Sequence, residues 1–157
     1  MINHEISRKI QKLDNLFEQV ELLREDIEMR SQWAKYLCVL VSGLLEASIR
    51  LIYLNYAVSK SQANIVSFVE SNLSKFQNAK AHKIKELIGS FNKEWENEFE
   101  RVVIKESDEL KESINSIVAN RHLIAHGEDV TITFVSVRKH YKNIIRVLEL
   151  IEQQCLR

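Results

Sequence analysis

Apolar residues recur at every third or fourth position through most of the chain, a spacing that predicts amphipathic α-helices. The first such run spans residues 4–29 and places on one face Ile6, Ile10, Leu13, Phe17, Val20, Leu23 and Ile27. The second run, residues 32–57 with Ser31 as its predicted N-cap, is apolar round most of its circumference. We therefore expect this second helix at the centre of a helical bundle.

The rest of the chain continues the helical pattern, and the absence of proline favours long helices. A strong helix is predicted at 108–126 and ends at Gly127, where a left-handed residue would close it. Thr131 or Thr133 can cap a last helix, whose apolar face carries Val137, Tyr141, Ile144, Ile145, Leu148 and Ile151. Shorter helices and their N-caps are predicted at 61–76 (Ser59), 79–90 (Asn78) and 93–104 (Asn92).

These elements predict an all-α fold, an up-and-down bundle of four main helices with extra short helices between the second and the third. We expect one domain over residues 1–157, because this length suffices for one sizeable core. Hydrophobic residues at 45% and charged residues at 28% exclude a disordered chain. Lys plus Arg equals Asp plus Glu at 22 each, so any site for an anion must be local.

The cellular setting follows from what the sequence lacks. Cys38 and Cys155 are too few for a disulfide framework, so we expect reduced thiols. The N-terminal residues carry no secretory signal pattern, and the apolar stretch 36–45 is too short to cross a bilayer. These features predict a cytoplasmic protein that does not engage a membrane.

Arg121 interrupts an apolar row. Leu110, Ile114, Ile117 and Ile124 form the core-facing row of helix 108–126, and Arg121 lies four residues after Ile117 on the same face. A buried arginine needs an anion, because an unpaired buried charge costs several kcal/mol. That anion can be a side chain, with Glu46 and Asp129 as candidates, or a ligand phosphate, which the guanidinium binds through two hydrogen bonds.

His122 and His126 follow on the last turn of the same helix. The negative end of the helix dipole favours a protonated histidine, which suits general acid and base chemistry. A histidine that moves protons beside an arginine that neutralises phosphate charge is sufficient for metal-free RNA cleavage. The structural alternative is an ion pair of Arg121 with Glu46, with the two histidines as partners of the negative end of the helix dipole, and by composition alone it has about equal weight. We predict no metal and no cofactor, because the two histidines lack a third ligand at a suitable spacing.

A polar stripe on helix 32–57 supplies further candidates, and its members are Lys35, Ser42, Glu46, Arg50 and Tyr53. This stripe either faces solvent or lines a cleft. Glu46 and Arg50 are four residues apart and can form an ion pair on a solvated face.

The stretch "NRHLIAHG", residues 120–127, resembles the Arg-x4-His signature of HEPN domains. The upstream "WAKYLCVLVSGLLEASIRLIYLNYA" is similar to the second helix of the RiboL-PSP and MAE-type HEPN groups. The closing "DVTITFVSVRKHYKNIIRVLELIE" is similar to their last helix. The resemblance covers most of the chain, and residues 58–105 are its least diagnostic part.

This resemblance implies a metal-independent endoribonuclease of toxin–antitoxin or phage-defence systems that leaves 2',3'-cyclic phosphate ends. Arg121, His126 and His122 would be catalytic, with His122 at a position where many members have Asn or Asp. Asn120, Glu46 and Arg50 would support the site or bind RNA. The implied partners are RNA, a second copy whose motif faces the first, and an antitoxin or other defence protein. The alternative is a non-catalytic module that binds nucleotide, RNA or a partner protein.

Overall fold

The computed structural model describes residues 3–157, and the regular elements in this range are all helical. In chain order they are α1 (His4–Glu21), α2 (Ile27–Lys60), α3 (Ala63–Leu73), α4 (Ala81–Phe91), α5 (Lys93–Phe99), a π-helical segment (Glu100–Lys105), α6 (Asp108–Ala125) and α7 (Phe134–Leu156). The long helices α1, α2, α6 and α7 build the bundle, and the short ones lie between α2 and α6. The predicted all-α fold is confirmed.

Helix α2 is the centre of the bundle and packs against α1, α3, α6 and α7. Its buried face runs along most of its length and includes Ala34, Leu37, Cys38, Val41, Leu45, Ile49, Ile52 and Tyr53. The Cys38 thiol donates a hydrogen bond to the Ile117 carbonyl of α6 at 3.5 Å. Burial of this face holds the other three long helices in place.

Helix α2 also runs further in both directions than the predicted helix over 32–57. Its length and composition would suit a membrane span, contrary to the expectation from residues 36–45 alone, because apolar residues continue on both sides of that stretch. A core helix passes the same test, and 56% of its most apolar window is buried inside the bundle.

The turn between α1 and α2 falls inside the helix predicted over 4–29, so that prediction is wrong in extent. Helix α1 ends at Glu21, and Asp26 rather than Ser31 caps α2 by accepting a hydrogen bond from the Met29 amide at 2.9 Å. Ile27, which the periodicity placed on the buried face, is 82% exposed. The apolar spacing runs through this turn without a break, and no glycine or proline marks it.

The short helices also differ from prediction at their N-termini. Neither Ser59 nor Asn78 is an N-cap, since α3 and α4 begin after Gln62 and Lys80, whose side chains make no capping hydrogen bond. The Ala81 amide at the start of α4 instead donates to Asn115 Oδ1 of α6 at 3.0 Å. A side chain from another helix thus satisfies an amide that a local N-cap would otherwise bind.

The region predicted as one helix over 93–104 is split into α5 and the π-helical segment. Asn92 caps α5 as predicted, and its side chain accepts from the amides of Glu94 and Trp95. The change to π-helical geometry comes directly after Phe99, whose side chain is fully buried.

The end of α6 is a left-handed turn at Gly127, as predicted, with φ of +71°. The Gly127 amide donates to the Ile124 carbonyl at 3.1 Å, and the Glu128 amide donates to the Leu123 carbonyl at 3.0 Å. This pair of bonds satisfies carbonyls that the helix end leaves unpaired. It fixes the path of the chain directly after His126.

Thr133, one of the two predicted caps, begins α7. Its side chain accepts from the Ser136 amide at 3.1 Å, and the Ser136 hydroxyl in turn accepts from the Thr133 amide at 3.0 Å. The aromatic ring of Phe134 then packs on Phe17 of α1, with ring centroids 5.9 Å apart. The cap therefore sets where α7 enters the core.

Two side chains of α2 hold the loop before α4. Glu46 accepts a hydrogen bond from the Asn78 amide at 2.7 Å, and Asn78 has a positive φ of 55°. Arg50 bonds Glu46 at 3.2 Å and donates to the Phe76 carbonyl at 3.0 Å. Because these bonds tie loop backbone to the central helix, they fix the start of α4.

We expect opposite effects from alanine at two glycines. Gly127→Ala should lower the free energy of unfolding by about 1–2 kcal/mol, because a Cβ is disfavoured in the left-handed region. Gly43→Ala should raise it by about 0.5–1 kcal/mol, because Gly43 lies inside α2 and its added Cβ meets no atom within 4 Å. Urea unfolding of both variants tests this, and equal shifts would contradict the assigned turn.

The loop contacts give a second prediction. Glu46→Ala should lower the free energy of unfolding by about 1–3 kcal/mol, because the Asn78 amide and Arg50 both lose their acceptor. Thermal unfolding should show a decrease of several degrees. Glu18→Ala, an exposed glutamate of α1, is the matched control. A loss no larger than that of the control would mean that the loop is held by other contacts.

Candidate functional site

Arg121 is half-buried on the last turns of α6, less buried than its place in the apolar row predicts. Leu110, Ile114 and Ile117 are buried, whereas Ile124 at the helix end is also half-buried. The row therefore leaves the core towards the C-terminus of α6. The guanidinium can reach solvent, so its position does not require a buried counter-ion.

Neither predicted side-chain partner pairs with Arg121. Glu46 is engaged by Arg50 and by the Asn78 amide, and Asp129 is exposed in the link after α6. Among residues 3–157, no hydrogen bond or ion pair joins the Arg121 guanidinium to another group. Glu46, one of the two candidate side-chain partners, therefore pairs with Arg50 and the loop amide and not with Arg121. The guanidinium is available to an anion from outside.

His122 and His126 are exposed and lie against each other at the end of the helix. Their ring centroids are 4.4 Å apart with an angle of 62° between the planes. His126 is the C-cap residue, and its amide donates to the His122 carbonyl at 3.2 Å. The structure thus brings together the two imidazoles that the spacing predicted.

Asn120 precedes Arg121 and is half-buried. Its amide nitrogen donates to the Ser116 carbonyl at 2.8 Å and lies 3.3 Å from the Ser116 hydroxyl. The side chain is therefore held along its own helix. In this arrangement Asn120 supports the last turns of α6.

The N-terminal half of α2 lies at the same end of the bundle as residues 121–126, which carry Arg121 and the two histidines and are called the motif below. The bond between Cys38 and Ile117 and the stacking of Arg30 over the Phe134 ring at 4.7 Å show this antiparallel arrangement. Burial raises the pKa of Cys38 to about 12, so this thiol is a packing group and no nucleophile. The contact at Ile117 anchors α6 five residues before His122.

A groove of about 580 Å³ lies on this half of α2, and its lining includes the polar residues Asp26, Glu28 and Gln32. Met29 and Tyr36, which are 47% and 52% exposed, line it together with Trp33. The Trp33 and Tyr36 rings meet edge to face, with centroids 5.5 Å apart. This exposed aromatic surface is at the motif end of the bundle.

The polar stripe predicted on α2 does not form one solvent-exposed face. Ser42 and Tyr53 are buried, with 3% and 0% exposure. Burial raises the pKa of the Tyr53 hydroxyl well above its usual value, because the phenolate would be desolvated. Glu46 and Arg50 instead bind the backbone of the loop before α4.

A basic groove beside the motif is the feature that sequence reasoning missed. It lies between the start of α4 and the second half of α6, has a volume of about 430 Å³, and includes Lys80, His82, Lys83 and His122 in its lining. The cluster "KAHK", residues 80–83, was the available signal.

The remaining chemistry-bearing groups lie elsewhere. His140 is half-buried and bonds the Ser113 hydroxyl at 3.0 Å, and desolvation lowers the pKa of its imidazole. Within residues 3–157 no group of three His, Cys, Asp or Glu side chains is placed to hold a metal ion. The absence of a resident metal or cofactor stays a prediction.

Comparison with known proteins adds the family. No curated protein and no solved structure gave a significant match. The family model described as RiboL-PSP-HEPN matches residues 3–157, which is nearly the whole chain and includes the helices that carry Arg121 and the two histidines. Together with the all-helical bundle, this match shows that the chain belongs to the RiboL-PSP-HEPN family of HEPN domains.

Proposed function

We propose that this protein is a metal-independent endoribonuclease, the effector of a toxin–antitoxin or phage-defence system in the cytoplasm. The observation that carries the proposal is the end of α6, where the exposed rings of His122 and His126 have centroids 4.4 Å apart and follow Arg121 by one and five residues. Membership of a HEPN family supports an RNase or nucleotide-binding module in general. Free basic groups at the surface are suited to a phosphate substrate.

The reaction needs two proton transfers and one neutralised phosphate. His126 takes the proton of a 2'-hydroxyl, and the 2'-oxygen then attacks the adjacent phosphorus. The bond from phosphorus to the 5'-oxygen breaks, and an imidazolium returns a proton to that oxygen. Arg121 neutralises the charge that builds on the phosphoryl oxygens. The products are a 2',3'-cyclic phosphate and a 5'-hydroxyl.

A homodimer resolves a geometric difficulty in this site. Arg121 and His126 are five residues apart, so their side chains leave the helix about 140° apart. Within one chain the two groups therefore diverge, although His122 lies between them in direction. A two-fold axis close to the helix end would bring the arginine of one copy towards the histidines of the other. RNA would then lie in a cleft that both copies share.

The groove on α2 that Met29, Trp33 and Tyr36 line is the surface we assign to this dimer. Met29, Trp33 and Tyr36 expose apolar area at the motif end of the bundle. Aromatic residues and methionine are enriched in the cores of protein interfaces. Pairing through this surface would place the two motifs near one another, and an antitoxin could block the same cleft.

We predict that purified protein cleaves cellular RNA in excess EDTA. Arg121→Ala and His126→Ala should each reduce cleavage by about 10²- to 10⁴-fold, because each removes a charge-neutralising or proton-transfer group. His4→Ala, an exposed histidine on α1, is the matched control. Denaturing gels and analysis of the cyclic phosphate ends measure the result, with melting temperatures confirming folding.

Two outcomes would contradict this assignment. Loss of cleavage in EDTA with recovery on adding Mg²⁺ or Zn²⁺ would remove the metal-independent mechanism. RNA binding without cleavage, together with equal growth of cells that express the wild type, Arg121→Ala or His126→Ala, would favour a non-catalytic module.

The dimer surface gives a separate prediction. Tyr36→Glu should convert the dimer to a monomer, because a carboxylate at an apolar interface is desolvated without a partner. RNA cleavage should fall together with the fraction of dimer. The melting temperature should change little, because Tyr36 is exposed. Light scattering gives the mass. Phe68→Glu on α3, where Phe68 is 69% exposed, is the control. Equal masses for the two variants would place the interface elsewhere.

A further inference from the structure

The basic groove between α4 and α6 has the shape and charge of a binding site. Its rim carries the exposed side chains of Lys80, His82 and Lys83, and His122 of the motif forms part of its wall. Asn78 and three apolar residues of α6, Val118, Ala119 and Leu123, form the remainder. Because His122 belongs to both features, the groove is continuous with the proposed catalytic centre.

The lysines of this groove are not neutralised within the protein. No described Asp or Glu lines the groove, and neither Lys80 nor Lys83 forms an ion pair with any residue of the range 3–157. The nearby Lys85 differs, since its ammonium lies 2.7 Å from Glu100. In a chain with no net charge, this is a local positive patch that can attract an anionic ligand.

The groove is held in place before a ligand arrives. Glu46 and Arg50 fix the backbone at Asn78 and Phe76, directly before Lys80. Asn115 accepts a hydrogen bond from the Ala81 amide and so ties the start of α4 to the motif helix. A binding site that is already ordered loses less entropy on binding.

We propose that this groove holds the phosphodiester backbone of the RNA strand next to the scissile phosphate. Lys80 and Lys83 each contact a phosphate, and the strand runs from them past His122 to the catalytic centre. The inference rests on the proposed RNA substrate. Lysine contacts to phosphates give affinity and register without reading bases, so the groove would position many sequences equally.

The test measures how RNA affinity depends on salt in protein that cannot cleave. His126→Ala protein is titrated with a labelled single-stranded RNA of about 20 nucleotides, longer than typical single-strand binding sites. Adding Lys80→Gln and Lys83→Gln should reduce the slope of log affinity against log salt by about 1.4, since each single-strand phosphate contact contributes about 0.7. Affinity should fall most at low salt.

Lys12→Gln with Lys142→Gln is the matched control, because it removes the same charge from exposed lysines on α1 and α7. A slope unchanged in the groove variant, or reduced equally in both, overturns the groove while leaving the nuclease proposal intact. Binding that needs the lysines in a wild-type protein that does not cleave supports the groove and contradicts the nuclease. Failure of both the wild-type and the His126→Ala protein to bind RNA at all overturns both.

Discussion

Burial of α2 is the constraint on which the rest of the structure depends. This helix of 34 residues presents apolar side chains to α1, α6 and α7, and a sequence so apolar cannot leave that face in water. The positions of α1, α6 and α7 around α2 follow from the burial of this face. The motif at the end of α6 is placed because α6 packs antiparallel against α2 and is joined to it by the contact of Cys38 with Ile117.

Two polar residues of α2 do more than a single helix suggests. Their spacing predicts an ion pair between Glu46 and Arg50. In the fold this pair forms at 3.2 Å, and both side chains also bind the backbone of the loop before α4, where amide and carbonyl groups need partners. Their contribution to the site is indirect, because they hold in place the loop that leads to Lys80.

The end of α6 combines a firm backbone with accessible side chains. The left-handed turn at Gly127 and the bond from the Glu128 amide to Leu123 fix the backbone. Arg121 keeps a half-buried stem, while His122 and His126 remain at the surface. An ordered helix end that leaves cationic and titratable groups open to solvent is suited to a substrate that arrives from outside.

The sequence by itself determined the elements with a strong local cause. Apolar periodicity specified the long helices, Gly127 the end of α6, and Thr131 or Thr133 the start of α7, because periodic burial and capping act within a few residues. The spacing of Arg121, His122 and His126 on one helix is also a local property. The turn before Asp26 escaped prediction, because the apolar period continues through it and the exposure of Ile27 depends on how α1 and α2 fold back.

Only the tertiary structure decided which groups meet across elements. Glu46 had two possible partners in the sequence, Arg50 and Arg121; it pairs with Arg50 and also accepts from the Asn78 amide, because an unpaired backbone amide there is costly. Lys80, His82 and Lys83 became a groove only when α4 packed beside the motif helix. Such pairings depend on distances between residues that are far apart in the chain, and helical periodicity carries no information about them.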